Sequence, residues 1–291
     1  MPNLKEVRNR ITSVGSTMQI TSAMKMVSAA KLKRAQDAIL QMRPYANKLK
    51  EILENVSASV DASENVYARK TNGKNVLIIS ISSNRGLAGA FNSSIIKKTW
   101  SLIQNDYQGY NVTVLPVGKK VQDAFKRTNY IIKGNDLPHN GNELFDQLSF
   151  AKVAPFAEII MNAFGNKQFD KVVLVYNQFK NAAVQIAMEE QFLPIAPSQN
   201  TASSKADYEF EPNKEFIIND LIPRSLKTQL YKALLDSFAS EHGARMTAMH
   251  KATDNAKAMQ KELKITYNKA RQAAITKEIL EIVAGAEALN G

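Results

Sequence analysis

Apolar side chains recur along the first sixty residues at alternating spacings of three and four. They begin with Leu4, Val7, Ile11, Val14 and Met18, and the same register, extended by sevens, resumes at Leu32, Ala35, Ile39, Met42, Ala46, Leu49, Leu53, Val56 and Val60. This spacing is typical of a long helix that packs against another helix along one heptad seam. A helix over residues 4–57 would be roughly 80 Å long.

The seam is interrupted between its two halves. Polar residues occupy the register at Thr21, Lys25 and Ser28, and apolar residues stand one position earlier, at Ile20, Met24 and Val27. We expect the apolar stripe to rotate around the helix at this point, because a phase shift moves the apolar face. Farther along, Pro44 predicts a kink or a break in the helix.

The end of the chain carries a second helix pattern. Pro223 suits a first helical position, and no proline follows it. The predicted seam is Met249, Ala252, Ala256, Met259, Leu263, Ala270 and Ala273, and it then shifts to Ile275, Ile279, Ile282, Ala286 and Leu289. Two heptad-patterned helices at opposite ends of one chain predict an antiparallel coiled coil, with a parallel homodimer as the structural alternative.

The residues between these helices alternate between strand and helix patterns. Strands are predicted at 75–82, 111–117, 130–132, 171–179 and 183–192, and helices at 92–104, 121–127 and 150–164. The last two strands are close enough in sequence to pair as a hairpin, and the alternation implies a mostly parallel sheet covered on both faces.

The predicted fold class is therefore α/β: an antiparallel coiled coil of long N- and C-terminal helices plus a Rossmann-like, mostly parallel α/β domain. The expected segments are 1–60 for the N-terminal coiled-coil helix, 74–200 for the α/β foot domain and 210–291 for the C-terminal coiled-coil helix.

Charge is concentrated in the two helical ends. The chain has a formal net charge of +11, and residues 1–50 carry ten Lys and Arg against Glu6 and Asp37. Such basic ends suggest an electronegative partner, and nucleic acid is the first class to test. Tyr45 is the one aromatic residue in the first fifty, whereas single-strand binders use several aromatic side chains for stacking.

The sequence offers little catalytic or metal-binding chemistry. The loop of residues 83–89 follows the first predicted strand, but its two glycines match no phosphate-binding motif, so a tight turn is the better interpretation. Cysteine is absent, and His139, His242 and His250 are scattered. We therefore expect no catalytic residues, no cofactor and no metal.

Motifs at both ends resemble the gamma subunit of F-type ATP synthases. Near the start these are Arg10-Ile11, residues 17–29 and Lys31-Leu32; near the end they are Ser240-Glu241, residues 244–246, residues 252–256, Tyr267-Asn268 and residues 275–286. In the loop after the first strand, Arg85-Gly86-Leu87 with Gly89 and Asn92 is similar to the same family. The resemblance covers the whole chain in order.

This resemblance implies the central stalk of a proton-translocating ATP synthase. The coiled coil would enter a hexameric ring of alpha and beta subunits, and the α/β domain would bind the epsilon subunit and the membrane ring of c subunits. One copy per complex would transmit rotation of the c ring to the catalytic ring. The chain itself would not be an enzyme.

Residue roles follow only where the family motifs match. Arg245 and Gln272 match positions that contact a loop of a beta subunit, and Thr276 and Glu278 lie in the C-terminal signature. Met24 and Lys25 match the N-terminal contact zone. These six residues are the predicted contacts with the beta subunits.

The chain departs from the family in one loop and leaves an alternative function open. Asn84 and Ala88 stand where the family loop often has aspartate and cysteine.

Without a visible presequence or an apolar run long enough to span a bilayer, the expected location is peripheral, on the cytoplasmic face of a bacterial inner membrane. The alternative is a basic coiled-coil protein that binds nucleic acid.

Overall fold

The computed structural model describes residues 3–59, 65–69, 73–134, 137–195 and 220–290. The ends expected for the three segments at 60, 200, 210 and 291 therefore lie outside the described residues. Contacts divide the chain into two compact units, one formed by Met1–Ser28 with Met246–Gly291 and the other by Ala29–Arg245.

Five α-helices and four strands make up the regular structure of the described residues. The helices are α1 (Leu4–Ser59), α2 (Phe91–Ser101), α3 (Lys119–Phe125), α4 (Phe150–Gly165) and α5 (Ile222–Asn290). The strands are β1 (Asn75–Ile81), β2 (Asn111–Val117), β3 (Lys171–Phe179) and β4 (Gln185–Leu193). The bounds predicted for β2 and β3 agree with the structure to the residue.

The unit of residues 29–245 contains the sheet, whose strand order is β2-β1-β3-β4. Strand β1 pairs in parallel with β2 and β3, and β4 pairs antiparallel with β3 as the predicted hairpin. The strand predicted at 130–132 is wrong: only Ile131 makes an isolated bridge, to Val114. The run is too short to extend the sheet, and a turn with positive φ at Gly134 follows it.

Both faces of this sheet are buried, as the continuous apolar strands predict. On one face Leu77, Ile79 and Ile81 pack into a cluster with α4 and the first turns of α5. On the other face Val76 and Ile78 pack into a cluster with α2 and α3. The alternation of β1 between the two clusters gives three layers, helix–sheet–helix.

An ion pair between a partly exposed arginine and a fully buried aspartate ties three elements of the same unit together. One guanidinium nitrogen of Arg43 on α1 donates to Asp236 Oδ1 on α5 at 2.7 Å and to the carbonyl of Phe179, at the end of β3, at 2.8 Å. Asp236 is completely buried, and burial raises the pKa of its carboxyl although Arg43 opposes the shift.

Helix α1 is not broken at Pro44, the residue that follows Arg43.

The unit of residues 1–28 and 246–291 is an antiparallel helix pair. Arg8 contacts the Tyr267 hydroxyl at 3.0 Å, and Thr21 meets Thr253 with 2.8 Å between their hydroxyl oxygens. From the first contact to the second, the position on α1 rises by nearly four turns and the position on α5 falls by the same amount, so the two helices are antiparallel. These contacts form within one chain, so the parallel homodimer is not the arrangement found here.

The predicted rotation of the α1 seam is wrong. Thr21 and Ser28 are 8% and 2% exposed, whereas Ile20 and Val27 are 59% and 58% exposed. The heptad register continues without a phase shift and carries small polar side chains into the seam. A short stretch cannot turn by one residue while the register on both of its sides stays in place.

The α5 seam agrees with the prediction at Met249 and Ala256, which are 4% and 8% exposed, and differs from it at Met259. Thr253 is buried and Gln260 half-buried, whereas Met259 is 52% exposed. The buried face uses polar side chains where the sequence offered an apolar residue one position earlier. The Thr21 and Thr253 hydroxyls satisfy each other in this seam, and Thr21 lies 3.1 Å from the carbonyl of Met18.

Candidate functional site

The C-terminal end of α5 extends past the start of α1. Because Tyr267 lies opposite Arg8 and α1 begins at Leu4, the residues beyond about Arg271 have no counterpart on α1. Every residue from 275 to 288 is exposed. Five large apolar side chains are among them, at 47–71% exposure: Ile275, Ile279, Leu280, Ile282 and Val283. This stretch is an apolar surface, not a continued seam as the sequence pattern predicted.

Three of the predicted contact residues lie in or beside this apolar end. Gln272, Thr276 and Glu278 are all exposed. The Thr276 hydroxyl donates to the carbonyl of Gln272 at 2.9 Å, one turn earlier in the same helix. The side chains of Gln272 and Glu278 are accessible to a partner, and the apolar neighbours surround them on the same helix.

Met24 and Lys25 lie at another level of the same helix pair. Both are half-buried, and the pairing of Thr21 with Thr253 places them across from the region near residue 250. At 1.5 Å per residue this is roughly 30 Å from Gln272 along the pair. Met24 follows Ile20 and precedes Val27 at helical spacing, so the three form one apolar stripe beside the seam.

Arg245 lies in the other unit and is 7% exposed. Its Nη1 donates to Glu241 Oε1 at 2.5 Å, one turn earlier on α5. Its Nη2 donates to the carbonyl of Arg85 at 3.2 Å and to that of Gly86 at 3.3 Å. The guanidinium therefore joins helix α5 to the loop between β1 and α2.

The surroundings of Arg245 shift the pKa values of two neighbouring side chains. Burial raises the pKa of the Glu241 carboxyl, and the positive charges of Arg245, Lys31 and Arg85 oppose the rise. Burial and the charges of Arg245 and Lys31 lower the pKa of His242 to about 3. His242 is therefore neutral in the fold, and its buried Nε2 has no hydrogen-bond partner.

The loop between β1 and α2 is also hydrogen-bonded to two other segments of the same unit. The Asn84 amide donates to the carbonyl of Asn142 at 2.9 Å and accepts from the backbone N–H of Lys119 at 3.2 Å. An aspartate at this position could accept but could not donate, so the asparagine amide makes a pair of hydrogen bonds that a carboxylate cannot. Ala88 is 1% exposed and packs in a cluster with Phe91 and Ala244.

Sequence reasoning missed Glu241, His242 and Leu87 as members of this arrangement. Leu87 is 66% exposed and has a φ of 62°. No local pattern signals that Arg245 meets a loop some 160 residues earlier in the chain. The exposed end of α5 could have been found, because the length of α1 limits how far its partner can be covered.

Among the residues that the structure describes, no group of three His, Asp or Glu side chains is placed to hold a metal ion. None of the described helices combines the length and apolarity needed to cross a membrane.

Comparisons with known proteins agree along the whole chain. A family profile described as ATP synthase matches residues 3–289. The ATP synthase gamma chains of Christiangramia forsetii and Flavobacterium johnsoniae are each 58% identical, over 292 and 296 residues, with 100% of both chains covered.

Solved structures give the same result for the fold. A chain of the central stalk and c-ring structure of the Tetrahymena thermophila mitochondrial ATP synthase is 27% identical, with a TM-score of 0.60, and the match covers 80% of this chain and 99% of that one. A chain of the Euglena gracilis mitochondrial ATP synthase is 20% identical, with a TM-score of 0.67 over 98% and 94% of the two chains. With its full-length relatives and its antiparallel helix pair, the chain belongs to the family of ATP synthase gamma chains.

Proposed function

We propose that the chain is the central-stalk rotor of a proton-translocating F-type ATP synthase. It transmits rotation of the membrane c ring to the hexameric ring of alpha and beta subunits and carries no catalytic residue of its own. The similarity over the full length supports this function against the alternative of nucleic-acid binding.

The observation that carries the proposal is the uncovered apolar end of α5. Ile279 and Ile282 are 55% and 71% exposed on a helix end that has no counterpart on α1. Full burial of such a side chain contributes about 1.5–3 kcal/mol. A ring of subunits closed around the end of the helix provides that burial without fixing one rotational position, since apolar contacts are not directional.

Beta-subunit contacts are proposed for the accessible family positions. Gln272, Thr276 and Glu278 lie in or beside the apolar end, and Met24 and Lys25 face the hexameric ring at a second level of the helix pair. The direct contact expected of Arg245 stays a prediction, because its guanidinium is 7% exposed and engaged within the chain. Contacts that are mostly apolar keep similar energies as the shaft turns, which suits rotation better than rigid ion pairs.

The remaining partners belong to the same proposal. The α/β unit binds the epsilon subunit and the c ring, with one copy of the chain in each complex. The chain is then a peripheral part of a membrane-bound complex, on the cytoplasmic face of a bacterial inner membrane. The basic ends suit a site surrounded by electronegative partners, which need not be nucleic acid.

Purification of the tagged chain from its own cells, with nuclease present, tests the function. We expect larger subunits and ATP hydrolysis to co-elute with the chain, and no hydrolysis by the chain alone. Chain that elutes alone, or with nucleic acid that salt removes, would contradict the proposal.

Variants of the apolar end sharpen this test. I279D/I282D places two carboxylates where an apolar sleeve is expected, so assembly or ATP-driven proton pumping should fall at least tenfold. K277Q is the matched control, since Lys277 lies on the same turns and its side chain is 75% exposed. Equal pumping by both variants would count against an apolar sleeve.

A further inference from the structure

Leu87 is displayed in an unfavourable backbone conformation. Its φ of 62° lies in the left-handed region, which costs free energy for a residue with a Cβ, and its side chain is 66% exposed. Such a conformation persists only where the surrounding structure determines it. The exposed leucine gains little from this chain in return.

Contacts on both sides of Leu87 hold this conformation. Before it, the carbonyls of Arg85 and Gly86 accept from Nη2 of Arg245 at 3.2 and 3.3 Å. After it, Ala88 is 1% exposed in a cluster with Phe91 and with Ala244 of α5. Helix α5 therefore contacts the loop on both sides of Leu87, by hydrogen bonds before it and by apolar packing after it.

Glu241 orients the guanidinium that makes the first of these contacts. Its carboxylate accepts from Nη1 of Arg245 at 2.5 Å, which leaves Nη2 directed at the two carbonyls. A planar guanidinium can serve a carboxylate and two carbonyls at once, because its donors form a rigid fork. An ammonium at the same position keeps the charge but loses this fork.

We propose that Arg245 is a positioning residue that holds the loop of residues 83–90 so that Leu87 points outward. Through Leu87, the loop contributes to the rotor's contact with a beta subunit. This inference rests on the proposed rotor function. It differs from the expectation of a direct contact between Arg245 and a beta subunit, because the effect of Arg245 passes through the loop. The surface that reaches the partner is then the apolar side chain of Leu87.

Hydrogen exchange in the loop tests the clamp in the full chain, without any partner. We expect R245Q to speed exchange of the amides of residues 86–89 by about tenfold to a hundredfold, as the loss of a charge-assisted hydrogen bond implies. R245K should behave nearly like R245Q, and E241Q should show a smaller increase. R271Q, at an exposed arginine of the same helix, is the control and should leave the loop unchanged.

Coupling in the assembled complex tests the route of the effect. We expect L87A to lower ATP-driven proton pumping per ATP hydrolysed without changing loop exchange. The double variant R245Q/L87A should pump no fewer protons per ATP hydrolysed than the more impaired of the two single variants, because both changes remove the same contact. Independent roles would instead multiply the two losses.

The proposal is overturned if loop exchange in R245Q equals that of the unchanged chain. It is also overturned if R245K retains full coupling, which a direct ion pair with a partner would allow. A chain that fails to assemble with ATP-hydrolysing subunits would refute the rotor function. Loop exchange in the free full chain would still decide the clamp.

Discussion

His242 offers a test of the buried site beside Arg245, through the pH dependence of stability. Its side chain is 5% exposed and packs edge-on against Phe238, with 4.5 Å between ring centroids. Burial first, and then the charges of Arg245 on the same helix and Lys31 on α1, lower its pKa from 6.5 to about 3. Folding therefore excludes a proton that the unfolded chain binds.

The sign of the effect follows from this difference. Above the unfolded value of 6.5 the imidazole is neutral in both states, and its contribution to stability is fully present. As the pH falls from 6.5 towards 3, only the unfolded chain binds the proton, so stability is lost at about 1.4 kcal/mol per pH unit. At pH 5 the loss amounts to about 2 kcal/mol.

Replacement of His242 by a side chain that does not titrate should remove this dependence. H242F keeps the aromatic contact with Phe238 and removes the buried Nε2 that has no partner. H242N serves as a second variant in case phenylalanine overpacks the site. For both, we expect the free energy of unfolding of the full chain, measured by urea titration, to fall about 2 kcal/mol less between pH 7 and pH 5 than in the unchanged chain.

The comparison rests on differences between variants. Asp236 and Glu241 have raised pKa values, so they favour the fold as the pH falls, but both remain present in every variant. The reasoning is refuted if the unchanged chain and both variants lose the same stability between pH 7 and pH 5. That result would mean that the imidazole is protonated, and paired, within the fold.

Three further predictions concern the helices. T253V should lower the free energy of unfolding of the full chain by about 1 kcal/mol, and T21V/T253V should lose less than the sum of the two single variants; additive losses in urea titrations would contradict a shared hydrogen bond. D236A should cost about 2 kcal/mol, because it removes a charge-assisted hydrogen bond between Asp236 and Arg43, and a loss below about 1 kcal/mol in the same assay would contradict the pairing. M24E should lower ATP-driven proton pumping in the assembled complex; unchanged coupling would argue against an apolar contact there.

The α/β middle was the most predictable part of the fold. Strand β3 contains the apolar run of residues 172–176, which is buried on both faces, and such runs signal a covered parallel sheet without reference to distant residues. The run at 130–132 has the same composition on a shorter scale, yet Ile131 makes only one bridge. Whether such a run pairs along its length depends on where the neighbouring strand ends, and the composition of the run does not reveal that.

The register of the helix pair was less predictable, because local apolarity pointed the wrong way. Ile20 and Val27 are more apolar than Thr21 and Ser28, yet the polar pair is buried. Val7 on one side and Leu32 on the other are both buried in the uninterrupted heptad register. The phase of the whole helix thus outweighs the preference of a few residues within it.

The site around Arg245 could be predicted only in part. Family motifs point to Arg245 itself, but its contacts with the carbonyls of Arg85 and Gly86 are backbone interactions. Almost any residue types could supply such carbonyls, so no side-chain pattern reports them. The positive φ of Leu87 is equally hidden, because leucine rarely adopts it.

The polar seam also bears on function. By burying Thr21 and Ser28, the helix pair forgoes about 1.5–3 kcal/mol for each of the apolar side chains of Ile20 and Val27 that it leaves outside. With Met24, these two residues form a stripe along one face of the helix, because they are three and four residues apart. Single exposed apolar residues are common on protein surfaces, whereas a continuous stripe of them is not. Folding of the chain does not explain an apolar stripe that the chain leaves uncovered. A surrounding partner explains it, and the uncovered end of α5 in the same unit requires a partner of the same apolar kind.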